Sequence, residues 1–217
     1  MINTLIFDLD GTLVDSLIDL CQTTNQVLKE YGFKTHELDS YKQFVGNGVD
    51  KLIERALPDD KKDLVKEARV RFDQIYLDNC LNNTKPYPGI LELIEELDLR
   101  DYHLAVVTNK PKVNAIKIVK HLFGDKFTYI FGNTSFQPKK PNPCLTNLAI
   151  DLFGVNKNEV LYVGDSDVDI QTALNTKVKS IGCTWGFRGE QELKEAGANY
   201  IVSQASEIME VIHDCDK

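Results

Sequence analysis

The chain has 217 residues, of which 42% are hydrophobic, and its 33 acidic and 25 basic side chains give a formal net charge of −8. A chain of this length and composition folds as a globular domain with room for a smaller second module. It is neither a disordered chain nor a small disulfide-linked scaffold. The negative charge argues against a nucleic-acid partner held on a broad basic face, but a local site can still bind a small anion.

Cysteine usage and the N-terminal sequence bear on the cellular location. Five cysteines are scattered along the chain without a CxxC pair, which argues against a zinc site or disulfide framework and favours reduced thiols. The first residues contain no basic stretch and reach Asp8 after a few apolar positions, unlike a signal peptide. No apolar run approaches the roughly 18 residues of a membrane span. We therefore expect a cytoplasmic protein without a membrane partner.

Short apolar runs alternate with amphipathic segments along most of the chain. Each run is too short for a helix, and most are rich in β-branched or aromatic residues, as in strands buried on both faces. The predicted strands cover residues 5–7, 104–107, 129–131, 160–163, 180–183 and 200–202. Predicted helices cover 90–97, 145–153, 168–174 and 205–212. The alternation predicts an α/β fold with a doubly wound parallel sheet.

One interval, from about residue 16 to residue 82, lacks such runs and shows helical spacing instead. Apolar residues recur at steps of three and four along three predicted helices, which cover 17–28, 49–57 and 59–76. Asp15 or Ser16 is the expected N-cap of the first helix. We therefore predict that residues 16–82 form an all-α insert domain, and that residues 1–15 and 83–217 form the α/β core.

Polar side chains follow three of the predicted strands. They are Asp8 and Asp10 after the first strand, Thr108 and Asn109 after the second, and Asp165 and Asp169 after the strand at 160–163. Ligands of parallel α/β sheets bind beyond the carboxyl ends of the strands, so we expect these residues to converge. Lys140, in a loop marked by prolines, is expected to join them.

The charges of this expected cluster indicate its chemistry. Its four aspartates and one lysine leave a net charge of −3, which a partly dry cleft cannot hold without a cation, and all-oxygen ligation points to Mg²⁺. The Thr108 hydroxyl, Lys140 and backbone N–H groups near Gly11 are suitable donors for phosphate oxygens. We therefore expect Mg²⁺ as cofactor and a small phosphorylated metabolite as substrate.

These motifs resemble those of the haloacid dehalogenase-like phosphohydrolase superfamily. The resemblance rests on four motifs in matching order and spacing, which are Asp8-Leu9-Asp10-Gly11-Thr12, Thr108, Lys140-Pro141 and Gly164-Asp165-Ser166 with Asp169. The helical insert resembles the small helical cap domain of that superfamily, so the resemblance spans essentially the whole chain. The stretch 184–189, Thr-Trp-Gly-Phe-Arg-Gly, looks like the phosphoglycolate phosphatase branch.

The resemblance implies a role for each acidic residue. Asp8 is expected to be the nucleophile that forms an aspartyl-phosphate, and Asp10 the general acid and then the general base. Close like charges are expected to favour the protonated form of Asp10. Asp8, the Asp10 carbonyl and Asp165 are the expected metal ligands, whereas Asp169 supports the metal waters or the lysine. The expected phosphate-binding residues are Thr108, Asn109 and Lys140.

We expect the insert to determine which substrate binds, although its residues are the least informative about the identity of that substrate. Gly46 and Gly48 flank Asn47 in a segment that is either a specificity loop facing the site or an ordinary turn between helices. Arg55 and, in the core, Arg188 are candidates for meeting an anionic group of the substrate. The four histidines lie outside every cluster and are not expected to bind metal.

Several functions fit this set of motifs. The leading hypothesis is a Mg²⁺-dependent phosphatase of small phosphate monoesters, with 2-phosphoglycolate as the named substrate. A β-phosphoglucomutase-like phosphomutase and a sugar-phosphate or pyrophosphate phosphatase remain open. A phosphonate hydrolase would need an insert lysine such as Lys51 for a Schiff base, and a dehalogenase would not need Asp10. A receiver-like signalling module belongs to another class, but receivers are shorter and lack a helical insert. The choice between monomer and dimer stays open.

Overall fold

The computed structural model describes residues 1–216, and Lys217, the last residue of the predicted core segment, lies outside them. Its strands are β1 (Thr4–Phe7), β2 (Val14–Asp15), β3 (Lys85–Pro86), β4 (His103–Pro111), β5 (Tyr129–Asn133), β6 (Val160–Gly164), β7 (Lys179–Cys183) and β8 (Tyr200–Val202). Six of them form a parallel sheet in the order β5-β4-β1-β6-β7-β8. The doubly wound α/β fold predicted from the sequence is confirmed.

Helices cover both faces of this sheet and fill the stretch between β2 and β3. In the core they are α5 (Ile90–Leu99), α6 (Lys112–Phe123), α7 (Cys144–Phe153), α8 (Asp167–Thr176), α9 (Glu190–Glu195) and α10 (Glu207–Cys215), with a 3₁₀ turn at Lys157–Glu159. Those of the insert are α1 (Leu17–Glu30), α2 (Leu38–Phe44), α3 (Val49–Ala56) and α4 (Val65–Asn79), with a 3₁₀ helix at Asp59–Leu64 before α4. Among residues 1–216, none of these helices combines the length and the apolar character needed to cross a membrane.

The central strands are fully buried, which explains their continuous apolar sequences. All four residues of β1 are buried, as are all five of β6. Phe7, at the end of β1, pairs with Val106 of β4 on one side and with Val163 of β6 on the other. The chain therefore leaves three adjacent strands at the same sheet edge, and the residues that follow them lie close together.

The insert departs from the predicted helices in two places. The segment predicted as one helix over 59–76 consists of the 3₁₀ helix and α4, because Lys61 has a non-helical backbone conformation. Helix α2 was not predicted, since Tyr41 is its single buried residue and seven residues are too few to show a periodic apolar pattern.

The two chain crossings between core and insert lie side by side. Strands β2 and β3 pair antiparallel there, and buried Asp19 of α1 accepts hydrogen bonds from the backbone and side chains of Asn83 and Thr84. Asp15 rather than Ser16 accepts the Leu17 N–H at 3.2 Å at the start of α1. The insert is thus attached through one short two-stranded connection; its division from the core at residues 16 and 82 stays a prediction.

Candidate active site

Three aspartates converge at the carboxyl edge of the sheet. Asp8 follows β1 directly, Asp165 follows β6, and Asp169 lies in the first turn of α8. Carboxylate oxygens of the three lie within 4.8 Å of one another. Their residues are only 7%, 2% and 0% exposed, respectively. The structure therefore brings together three of the four predicted aspartates as a compact, buried oxygen cluster.

The glycine at position 11 leaves room for the Asp165 carboxylate. Gly11 has φ +92°, and a Cβ built there would lie 2.6 Å from Cγ of Asp165. The Asp165 carboxylate accepts hydrogen bonds from the Thr12 hydroxyl at 3.3 Å and the Phe187 N–H at 2.8 Å. Gly11 is therefore required both by its positive φ and by its contact with the carboxylate.

Lys140 is the cation of this cluster. Its Nζ lies 2.8 Å from Asp8 Oδ1 and 2.7 Å from Asp169 Oδ1. The other oxygen of Asp169 accepts the N–H and the hydroxyl of Ser166 at the start of α8, so Asp169 joins the lysine to a helix N-terminus. This arrangement agrees with a supporting role for Asp169.

Asn109 fixes the backbone of Lys140. Its Oδ1 accepts the Lys140 N–H at 2.8 Å, and its Nδ2 donates to the carbonyls of Lys140 and Gly46 at 3.2 Å. The side-chain amide is thereby engaged with backbone groups of both core and insert. The contacts favour a positioning role for Asn109 over the phosphate binding predicted from the sequence.

Burial and mutual repulsion raise the pKa values of carboxyl groups in the cluster. Burial raises the pKa of Asp8 to about 6, with Asp169 and Asp10 adding to the effect and Lys140 opposing it. Burial, Asp169 and Asp8 also hold the pKa of Asp165 well above its usual range. Ionised, the three carboxylates and Lys140 carry a net charge of −2 in a buried site, which calls for a further cation.

The oxygen donors suit Mg²⁺. This ion prefers carboxylate and carbonyl oxygens and substrate phosphates, and the cluster offers carboxylates alone. Asp8 Oδ1 is buried and has the Lys140 ammonium, at 2.8 Å, as its partner among residues 1–216, so lone pairs of this carboxylate remain for a cation. The residues fit the ion expected from the sequence.

Asp10 has a different environment from the other acids. Its Oδ1 accepts the Ser16 hydroxyl at 2.5 Å, and Lys110 Nζ lies 2.8 Å from Oδ1 and 3.1 Å from Oδ2. The predicted dominance of like charges around Asp10 is therefore wrong in this structure, because a buried ammonium is its nearest charged group.

Sequence reasoning left Lys110 and Ser16 out of the site. Lys110 is two positions beyond Thr108 in β4, in the stretch between Val107 and Pro111 where the pairing with β5 shifts register, so strand alternation gave no signal for the lysine. Ser16 was interpreted as a possible helix N-cap, because a serine just before a helix is typical of that role.

A small cavity lies above Asp8, between core and insert. It measures about 30 Å³, room for about two water molecules. The core contributes Asp8, Asp10, Thr108, Asn109, Lys110 and Pro111, and the insert contributes Leu20, Val45, Gly46, Gly48, Val49, Leu52 and Tyr76. Gly46 and Gly48 thus lie in a loop that faces the site, in line with the first of the two interpretations of this segment. Thr108 also lines the cavity.

Arg55 does not reach this cavity. Its guanidinium donates to the Gln43 and Phe44 carbonyls at 3.0 Å and to Asn47 Oδ1 at 2.8 Å. Arg188 binds the same segment, donating to the Gln43 side chain and the Val45 carbonyl. In this structure both arginines hold the loop that carries Gly46, and a contact of Arg55 with substrate stays a prediction.

Comparison with known proteins agrees with this geometry. A family model described as haloacid dehalogenase-like hydrolase matches residues 5–183. A phosphoglycolate phosphatase of Vibrio parahaemolyticus is 33% identical over 97% of this chain and 96% of its own length. One of Aquifex aeolicus is 32% identical over 96% of this chain and 95% of its own.

Solved structures show the same fold. The crystal structure of a predicted phosphoglycolate phosphatase from Haemophilus somnus superposes with a TM-score of 0.88 at 29% identity, covering 97% of this chain and 98% of that one. The sequence match and the structural match both run through the strands and loops that carry the aspartate cluster. The chain belongs to the haloacid dehalogenase-like hydrolase family.

Proposed function

We propose that this protein is a Mg²⁺-dependent phosphatase of a small phosphate monoester, with 2-phosphoglycolate as the best candidate substrate. The observation that carries the proposal is the buried cluster of Asp8, Asp165 and Asp169 around Lys140, beneath a small cavity. Relatives named phosphoglycolate phosphatase, similar over nearly their whole length, support the choice of substrate.

The reaction proposed has two steps. A carboxylate oxygen of Asp8 attacks phosphorus, the bond from phosphorus to the ester oxygen breaks, and the leaving oxygen takes a proton from Asp10. The resulting aspartyl-phosphate is then attacked by water, which gives its proton back to Asp10. Phosphate is released and Asp8 is restored. Asp8 and Asp10 both line the cavity, so both groups can reach one substrate.

The surrounding residues neutralise and hold the phosphoryl group. Lys140 offsets charge on Asp8 and on the phosphoryl oxygens, and the Thr108 hydroxyl faces the same cavity. Asp8, Asp165 and the Asp10 carbonyl would hold Mg²⁺, which when bound supplies the positive charge that phosphoryl transfer requires. Asn109 keeps Lys140 in place through its backbone.

The cavity favours a small leaving group. At about 30 Å³, room for about two water molecules, it must widen before any phosphate monoester enters, and a small leaving group requires the least widening. Its insert wall is mostly apolar, with Leu20, Val49 and Leu52. Glycolate, with two carbons, requires less widening than a hexose does. The cavity therefore favours the phosphatase over the sugar phosphomutase.

A phosphonate hydrolase is less well supported. Lys51, the insert lysine considered for a Schiff base, is 53% exposed and pairs with Glu54. Within the described residues, the lysine that lines the cavity is Lys110 of the core, and it is engaged with Asp10. An amine free to attack a carbonyl is not part of this cavity wall.

The proposed function is tested by a substrate panel. Purified protein with Mg²⁺ is incubated with 2-phosphoglycolate, hexose phosphates, pyrophosphate and a phosphonoaldehyde, and both phosphate and organic products are quantified. We expect phosphate and glycolate in equal amounts, with the highest kcat/KM for 2-phosphoglycolate. Formation of an isomeric sugar phosphate without phosphate release would instead identify a mutase.

A further inference from the structure

Lys110 is a buried ammonium to which the two proposed steps assign no role. It lies in β4 and is 4% exposed. Its Nζ contacts both oxygens of Asp10 and donates to the Tyr76 hydroxyl at 2.7 Å. Burial lowers the pKa of Lys110, but Asp10 and Tyr76 outweigh that effect and raise it above the usual range.

We propose that Lys110 is a positioning residue that holds the Asp10 carboxylate for proton transfer, and that Tyr76 of the insert holds Lys110 in turn. The proposal rests on the proposed function, because it needs Asp10 to exchange a proton with the substrate. The contact chain runs from Ser16 through Asp10 and Lys110 to Tyr76.

The contacts distinguish the two oxygens of Asp10. Oδ1 accepts hydrogen bonds from Ser16 at 2.5 Å and Lys110 at 2.8 Å, whereas among residues 1–216 Oδ2 has only the longer contact with Lys110 at 3.1 Å. Oδ1 is thereby anchored, and Oδ2 is the oxygen left to exchange a proton with a ligand in the cavity. Without Lys110, the Ser16 hydroxyl would be the one hydrogen-bond donor to this carboxylate within the described part of the chain, and the carboxylate could rotate about its bond to Cβ.

Tyr76 makes this restraint depend on the insert. It is fully buried in α4, and its ring is stacked on Phe72 at a centroid distance of 5.1 Å. Lys110 Nζ lies 4.7 Å from the centre of the Tyr76 ring as well as within hydrogen-bond distance of its hydroxyl. The insert therefore supplies a fixed partner for Lys110, and Asp10 is fully restrained only when the insert is seated on the core.

The leaving group separates this role from a structural one. Release of an alkoxide from 2-phosphoglycolate needs a proton from Asp10, whereas acetyl phosphate releases acetate, a stable anion that needs none. Acetyl phosphate is slightly smaller than 2-phosphoglycolate, so a site that admits the monoester has room for it. The rate of its first step, measured as the burst of acetate on mixing with enzyme, reports Asp8 attack without proton donation.

The test compares Lys110→Met with Lys112→Met, an exposed lysine two positions on, and with Asp10→Asn. We expect Lys110→Met to lower kcat for 2-phosphoglycolate about 100-fold with little change in KM. The rate of its acetate burst with acetyl phosphate should fall by less than about threefold. Asp10→Asn should show the same pattern, Tyr76→Phe a weaker one, and Lys112→Met should match wild type.

Other outcomes contradict the inference. Equal losses of Lys110→Met on both substrates would assign the lysine to phosphate binding or to folding, and unchanged kcat would show that Asp10 needs no such restraint. If the wild-type protein hydrolyses ethyl phosphate but not 2-phosphoglycolate, the proposed substrate is wrong. The losses of Lys110→Met on ethyl phosphate and on acetyl phosphate can then be compared in the same way, so the role of Lys110 is still tested. Inactivity toward every phosphate monoester would overturn both.

Discussion

The Lys140 ammonium lies 2.8 Å from the Asp8 carboxylate, in contact with the proposed nucleophile. One lysine cannot neutralise Asp8, Asp165 and Asp169 together, and all three are buried. A divalent cation would neutralise the remaining charge of −2, and this neutralisation is what would let an acidic protein hold an anionic substrate at this site. The same balance underlies the predictions below.

Asp8→Asn is expected to reduce phosphate release by about 10⁴-fold or more, since an amide cannot act as the nucleophile. The substitution is nearly isosteric, so circular dichroism and the unfolding temperature should show an intact fold. Asp167→Asn is the matched control, because Asp167 is an exposed acid two positions from Asp165. Retained turnover in Asp8→Asn would rule out Asp8 as the nucleophile.

Mg²⁺ is expected to raise the unfolding temperature more at pH 7.5 than at pH 5. The Asp8 pKa is raised to about 6 in the fold, so the metal-free fold gains stability from this proton at low pH and loses it as pH rises through that value. Protons and Mg²⁺ compete for the carboxylate, so stabilisation by the ion appears mainly above pH 6.

At saturating ion the shift is expected to be about 5–10 °C near neutral pH. Thermal scans with and without EDTA, with salt matched by NaCl, measure it. A shift that is independent of pH, or larger at pH 5, would contradict binding at Asp8.

Gly11→Ala is expected to weaken Mg²⁺ binding and activity together. A Cβ at Gly11 would lie 2.6 Å from Cγ of Asp165, so the carboxylate must move. Gly32→Ala is the control: Gly32 also has a positive φ, of +74°, but nothing within 4 Å of the built Cβ. The control should lose about 1 kcal/mol of stability and keep its activity, as isothermal titration and phosphate release can show. Equal effects would mean that backbone strain alone matters at Gly11.

Asp19→Ala is expected to lower the free energy of unfolding by about 3 kcal/mol, because buried donors of Asn83 and Thr84 lose a charged acceptor. Urea unfolding measures the change, and Asp39→Ala, at a side chain that is 87% exposed, is the control. A loss below about 0.5 kcal/mol, the usual limit for surface substitutions, would show that the connection between core and insert does not depend on Asp19.

The convergence of the aspartates could be predicted from sequence because it follows from strand order alone. Asp8 and Asp165 follow strands that are neighbours in the sheet, and both strands end at the same edge. Short buried strands were recognisable for the same reason, since both their faces are covered and the apolar runs are continuous. Local pattern and one topological rule were sufficient for this part of the site.

Contacts between insert and core could not be predicted in this way. The partner of Lys110 is Tyr76, whose position depends on how α4 packs against α1 and on how the insert is seated. Arg55 illustrates the same limit: its place on α3 was predictable, but its carbonyl partners belong to a loop with no periodic pattern. The domain boundaries and the cytoplasmic location stay predictions.

The covalent intermediate tests the central claim most directly. Protein mixed with Mg²⁺ and 2-phosphoglycolate is quenched in acid within the first turnovers, digested and mapped by mass spectrometry. The proposed mechanism predicts a phosphoryl group on the peptide that contains Asp8, acid-stable but labile to hydroxylamine, and none in Asp8→Asn. A phosphoryl group on a different residue, or steady hydrolysis with an intermediate absent at every quench time, would contradict it.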